Sequence, residues 1–257
     1  MWQQRYRCSI ILAIPLGLAL LGCVDDRQQS KAERSAGKGL VGCWRFDEGQ
    51  GSIAKDSSGR GNDGELHNTE WVTGPFGTAL HFGGEDAYVS IPRTEGLKGS
   101  DEMTVEAWVF WEGTGRYPNV LTAEPWNPGG FMIFVGDDRC SFRMGRPAEE
   151  AWELRKGWQE VGATFLKPLP LGRWVHLTAT FKRPTLTTYV DGKPVGSANW
   201  NYPVGHCGKL HIGRWGEGDL GTTMCHHGMI DEVKIYSRAL TGEEIEAEYD
   251  RECARRK

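Results

Sequence analysis

Residues able to do chemistry fall into three groups in this chain of 257 residues. The first is aromatic: eleven tryptophans, whose flat apolar faces and single N–H suit them to stacking on the CH face of a sugar ring. The second is acidic. In residues 229–235, period two places Asp231 with Met229, Val233 and Ile235 on an apolar, core-facing row, where a carboxylate is costly unless a cation or donors satisfy it. Asp47 and the Asp/Asn/Gly-rich loop 56–64 could aim further oxygens at a hard cation, which takes about six to eight. The duller account is that such aspartates cap backbone amides in a turn. The third group is His206-Cys207, His211 and Cys225-His226-His227, where thiolate and imidazole could hold zinc. A disulfide with surface histidines explains it better, because the spacing matches no zinc framework.

Several other chemistries are not supported. Glu102 and Glu106 share a strand face, the one hint of the paired carboxylates that glycoside hydrolysis needs. No Gly-x-Ser-x-Gly elbow occurs. Residues 37–42 and 216–221 both satisfy G-x-G-x-x-G, but neither follows a strand and opens a helix, as dinucleotide binding requires. A net charge of −4 and a pI near 6.0 give no basic surface for nucleic acid.

The elements that must position these residues begin after an export signal. Arg5 and Arg7 precede an apolar run from Ile10 to Leu21, too short to span a bilayer comfortably. It ends in Leu20-Leu21-Gly22-Cys23, which resembles the lipobox of bacterial lipoproteins. Residues 1–22 are then a lipoprotein signal peptide, Cys23 the lipidated first residue of the mature protein, and residues 23–38 a polar tether with too little apolar surface to pack. Multiple acyl chains give stable membrane residence where one holds marginally. Val24, where an aspartate would signal retention, points by the same resemblance to a lipid-anchored place at the outer membrane or cell surface. Removing Cys8 and Cys23 leaves Cys43, Cys140, Cys207, Cys225 and Cys253 as disulfide candidates in an oxidising compartment, with pairing open.

From Leu40 onward strands dominate. Residues 174–181 place Val175, Leu177, Ala179 and Phe181 on one face and Trp174, His176, Thr178 and Thr180 on the other. Residues 104–111 and 210–215 read similarly. Asp191-Gly192 supplies the positive φ values of a tight hairpin turn. The abundance of glycine, 35 residues, suits many short strands. Residues 241–249 are the exception, a short acidic helix with Thr241 and Glu244 at capping-box spacing.

Residues 42–49, 56–64 and 76–84, then 104–109, 172–181 and 189–192, and finally the Ile-Asp-Glu-Val-Lys-Ile-Tyr-Ser-Arg-Ala-Leu run within 228–245 carry, in order, a resemblance to the laminin-G-like jelly-roll domains of the concanavalin A-like lectin/glucanase superfamily. The resemblance implies an all-β jelly-roll sandwich over residues 39–250, with a short C-terminal helix and a basic tail at 251–257. It assigns Trp44, Trp108 and Trp174 to family strands and packing. That leaves Trp126, Trp152, Trp158, Trp200 and Trp215, near loops, as ligand-binding candidates. A structural Ca2+ near the meeting of the terminal strands would fall, by resemblance, on Asp47, Asn62 and Asp231. The Glu-x-Asp-x-Glu string of the superfamily's glucanases is absent. The expectation is a membrane-tethered binding or adhesion module, with a glycan as first-choice partner and no catalysis. A surface protein used for protein contact is the alternative, and a glycan-cleaving enzyme the third reading. The long segment between about 124 and 167 departs from the family pattern, and individual specificity is expected there.

Overall fold

The computed structural model describes residues 37–256 apart from 85, 93, 114–117, 125–128, 136–139, 147–159, 166–168, 206–207 and 217–223. Among these residues the strands are β1 (Leu40–Trp44), β2 (Ile53–Ala54), β3 (Gly64–His67), β4 (Glu70–Thr73), β5 (Thr78–Phe82), β6 (Tyr88–Ile91), β7 (Glu102–Trp111) and β8 (Asn119–Ala123). They continue with β9 (Phe131–Phe134), β10 (Ser141–Gly145), β11 (Glu160–Thr164), β12 (Trp174–Lys182), β13 (Thr185–Val190), β14 (Lys193–Asn199), β15 (Leu210–Ile212) and β16 (Gly228–Tyr236). One helix, α1 (Gly242–Arg255), follows.

Two antiparallel sheets form a jelly-roll sandwich. Sheet I has the order β14-β13-β12-β7-β16-β5-β4, with β1 joined to β16, and sheet II the order β11-β10-β9-β8-β15-β6-β3-β2. The alternation in β12 holds: Val175, Leu177, Ala179 and Phe181 are fully buried in the core, opposite β7 in the register Leu177↔Ala107. From β7 the core receives Met103, Val105, Ala107, Val109 and Trp111, and from sheet II it receives Val89, Ile91, Leu121, Ile133 and Phe142. Each large side chain contributes about 1.5–3 kcal/mol by leaving water. Between β13 and β14, Asp191 (φ 48°) and Gly192 (φ 77°) make the expected tight turn.

The outward face of sheet I is covered by α1. Its start is the capping box: Thr241 accepts from the Glu244 backbone N–H, and Glu244 reaches back to that of Thr241. The helix continues past Tyr249 to Arg255, through residues that read as a basic tail. Tertiary contacts explain the extension, since Glu248 and Glu252 face Lys234 and Arg255 lies 3.3 Å from Glu232.

The period-two reading of β16 is corrected. Ile230 faces the core together with Val233 and Ile235, while Met229 and Asp231 stand opposite Phe110 and Trp108 of β7. The cause is an irregularity between Asp231 and Lys234, where Glu232 adopts a φ of 46° and shifts the side-chain parity.

Candidate functional site

The outward face of sheet II carries polar and aromatic side chains in cross-strand register. One row runs Arg143 (β10), Met132 (β9), Thr122 (β8), His211 (β15), Ser90 (β6) and Glu65 (β3). Alternation places them outward, because their neighbours Phe142, Ile133, Leu121, Ile212 and Val89 fill the core. Beside this row, Met132 and Phe134 form an apolar cluster apart from the core, and Trp215 packs against it, half-buried. The Arg143 guanidinium lies over the Phe134 ring at 4.7 Å and its Nε donates to Ser141 Oγ at 3.2 Å.

The other end of the face is built around Tyr88. His67 stacks on it nearly parallel, with ring centroids 4.3 Å apart, and the Arg214 guanidinium lies 4.1 Å from its centroid. Two groups that close cannot share one face of a ring, so Tyr88 is sandwiched. His211 meets the Tyr88 ring at a steep angle, and its Nε2 lies 3.5 Å from Glu124 Oε2. Beyond β15, Arg214 and Asn119 both bridge to Cys225, and Asn119 Nδ2 donates to the Met224 carbonyl. Such a face offers aromatic stacking, hydroxyl and imidazole hydrogen bonds, and two guanidinium groups, which suits reversible recognition of a polar ligand.

A second arrangement involves the acidic candidates. Asp231 is fully buried and its Oδ2 lacks a hydrogen-bond partner. Burial, with Glu232 adding to it, pushes its carboxyl up to about 9. Asp231 and Asp47 flank the turn between β4 and β5. A Cβ placed on Gly74 would meet Asp231 Oδ2 at 3.1 Å, and one on Gly77 would meet Asp47 Oδ1 at 2.9 Å. The structure therefore brings Asp47 and Asp231 to one glycine-lined turn. The Asn62 side chain donates through Nδ2 to the Val41 carbonyl at 2.8 Å, and its backbone carbonyl accepts from Trp44 Nε1. In the same loop, Asp56 accepts from the Cys43, Ser58 and Asn62 backbone amides, which is the capping role. Among the described residues no three acidic, histidine or cysteine side chains gather as a metal set.

The remaining candidates separate. Trp200 is buried in the core against Tyr202, so it offers no ring face to a ligand; it follows β14 into the sandwich end, which loop proximity in sequence does not show. Trp126, Trp152 and Trp158 lie outside the described residues, as do Cys23, Cys207 and His206. His226 packs on Phe82 and contacts the Phe110 carbonyl, and burial pushes its imidazole down to about 3. It is thus on the core side while His211 is outward, which parts the zinc cluster. No two of Cys43, Cys140, Cys225 and Cys253 are bonded to one another; they sit on different elements, and Cys43 and Cys253 are thiols. Glu106 is buried beneath α1, whereas Glu102 is partly exposed beside Lys182. Neither reaches the sheet II face. No described helix is long and apolar enough to cross a membrane.

Sequence reasoning passed over His67, Tyr88, Arg143 and Arg214. The available signal was alternation: in β6, Tyr88 and Ser90 alternate with Val89 and Ile91, which leaves them outward.

The model of a laminin-G-like family, described as the concanavalin A-like lectin/glucanases superfamily, matches residues 82–246. The chain belongs to this superfamily. No curated protein matches it. Among solved structures, this superfamily member is similar to the binding domain of Paraclostridial Mosquitocidal Protein 1, with a TM-score of 0.66, 16% identity, and 83% of this chain and 52% of that one covered. It is also similar to domain 4 of an extracellular arabinanase from Geobacillus stearothermophilus, solved in complex with arabinotriose (TM-score 0.57, 19% identity, 81% and 97% covered). A third is the binding domain of botulinum neurotoxin DC in complex with SialylT (0.61, 12%, 84% and 52%). The chain spans about half the length of these toxin binding domains, and the likenesses show the fold. The two toxin neighbours are binding domains.

Proposed function

We propose that this member of the superfamily is a lipid-anchored, extracytoplasmic binding module that takes carbohydrate on the outward face of sheet II. The observation that carries the reading is Trp215, half-buried on the separate Met132–Phe134 cluster, next to a polar row and the His67–Tyr88–Arg214 sandwich. A half-buried tryptophan packed on an outer sheet face, beside polar side chains, has the form of a sugar platform. The glycan complexes of two structural neighbours support the same reading by analogy of fold.

The test is a glycan array on the full-length protein in detergent, followed by titration of the best ligand. Trp215→Ala is expected to weaken binding roughly 10-fold, about 1.4 kcal/mol, with little change in melting temperature. Absence of binding to every glycan, with a protein partner recovered by cross-linking to this face, would favour the protein-contact reading instead. Release of reducing ends from a polysaccharide would replace both with catalysis.

We further propose that Asp47 and Asp231 hold a structural Ca2+ with backbone oxygens of the turn between β4 and β5. The orphaned Asp231 Oδ2 and the glycine-lined space beside both carboxylates fit a hard cation. When bound, the ion would neutralise the two carboxylates beside that turn and tie the first strand's end to β16. Calcium at 100 times its dissociation constant would stabilise the fold by about 2.7 kcal/mol. Melting temperature should rise with Ca2+, fall with EDTA, and respond to neither in Asp231→Asn. An unchanged melt of the natural chain under both conditions would refute the site.

A further inference from the structure

We propose that the ligand of the sheet II face is an acidic saccharide, and that Arg214 reads its oxyanion. Resting as it does on the assignment of that face to a glycan, the inference concerns ligand class. Arg214 is 8% exposed. Its Nε donates to the Gly216 carbonyl at 2.5 Å, and its guanidinium carbon lies over the Tyr88 ring, 4.1 Å from the centroid. Among the described residues Arg214 forms no ion pair. A buried guanidinium without a counter-ion is costly, and an aromatic face offsets only part of that cost.

Among the described residues, two carboxylates beside this face are differently placed. Glu65 lies 4.0 Å from His67 and Glu124 3.5 Å from His211, so each acid has an imidazole beside it while Arg214 has none of the acids. Beyond the Nε bond, the guanidinium carries a planar Nη fork, whose geometry matches a carboxylate in two parallel hydrogen bonds. Arg214 reaches toward β6 and Trp215 toward β9, on opposite sides of β15. A sugar ring stacked on Trp215 could therefore send a carboxylate or sulfate substituent of its neighbour toward Arg214. The overall charge of −4 repels anions, so selectivity for an acidic sugar has to come from such a local cation.

The experiment compares, on the full-length protein, polygalacturonate and alginate with the same polymers after their carboxylates are reduced to alcohols, and dextran sulfate with dextran. The uronate polymers are expected to bind at least 10-fold more tightly than their reduced forms. Arg214→Gln should abolish that preference and Arg214→Lys should restore part of it. A preference confined to dextran sulfate, and lost in Arg214→Gln, would support the same anion site with sulfate as its source. Equal binding of the reduced polymers, with Trp215→Ala still weakening them, would overturn the acidic ligand while leaving the glycan face intact. Loss of binding to every polymer, charged or neutral, would overturn the face assignment itself. Polyanion binding that survives Arg214→Gln would overturn the role of Arg214. Should Arg214→Gln fail to fold, by melting and circular dichroism, the comparison of native and reduced polymers on the natural chain decides alone.

Discussion

Glu106 shows what a single side chain does when an element is laid over it. It projects outward from β7, where a sheet face would meet water, yet it is fully buried and neither carboxyl oxygen has a hydrogen-bond partner. Burial is the main cause that pushes its carboxyl up to about 8; Lys234 opposes the shift, and Glu248 and Glu252 add to it. A group whose pKa is higher folded than unfolded makes the folded chain bind the extra proton, so stability is fullest below about 4.5 and declines as pH rises toward about 8. Replacing it with glutamine removes the proton from the balance. Glu106→Gln should therefore raise stability at pH 8 by on the order of 2 kcal/mol and do little near pH 4, read as urea midpoints at the two pH values. An equal gain at both would assign the effect to packing. His226 works in the opposite direction: held down to about 3 by burial, it costs stability as pH falls below about 6.5.

At the scale of elements, α1 is the part whose length and role needed tertiary contacts. Its capping box was legible in Thr241 and Glu244, because capping depends on residues three apart. Its end was not, because Glu252 is held from outside the helix: it accepts from Trp108 Nε1 at 2.5 Å and pairs with Lys234, which also meets Glu248 at 2.7 Å. Burial pulls the Lys234 ammonium down, but Glu252, Glu248 and Glu106 together raise it well above the ordinary lysine value. The lysine thus joins strand to helix. Lys234→Met leaves buried Glu252 without its lysine, while Glu248 keeps Arg251, and should cost about 3–5 kcal/mol, seen as a lower urea midpoint. A combined variant that also carries Glu248→Gln and Glu252→Gln should recover much of that loss; no recovery would mean the lysine acts through its hydrocarbon stem.

At the scale of the whole molecule, a sandwich leaves two outer sheet faces, and this chain treats them differently. The face of sheet I is covered by α1. The face of sheet II keeps Trp215, Tyr88 and a polar row, and receives the proposed ligand. The anchor proposed at Cys23 would hold that face at a membrane surface, tethered through residues 23–38. Cys23→Ser should abolish incorporation of labelled fatty acid and move the protein from the membrane to the soluble fraction. Retention in the membrane with no lipid label would point to an uncleaved apolar segment instead.

Alternation, turn residues and capping spacing are local properties, and through them the sequence by itself determined most of the architecture: β12 and β7 as half-core strands, the Asp191-Gly192 hairpin, the start of α1, and the laminin-G-like motif order. Tertiary structure decided what depends on long-range approach. An irregularity at Glu232 reversed the expected parity of β16 and took Asp231 away from the core row. Asn62 was committed to Val41, whereas Asp47 met Asp231 at a turn formed by other strands. Trp200 entered the core. Arg214 and His67, distant in sequence, closed on one tyrosine ring because β15 and β3 flank β6, a neighbour relation set by strand order rather than by any local pattern.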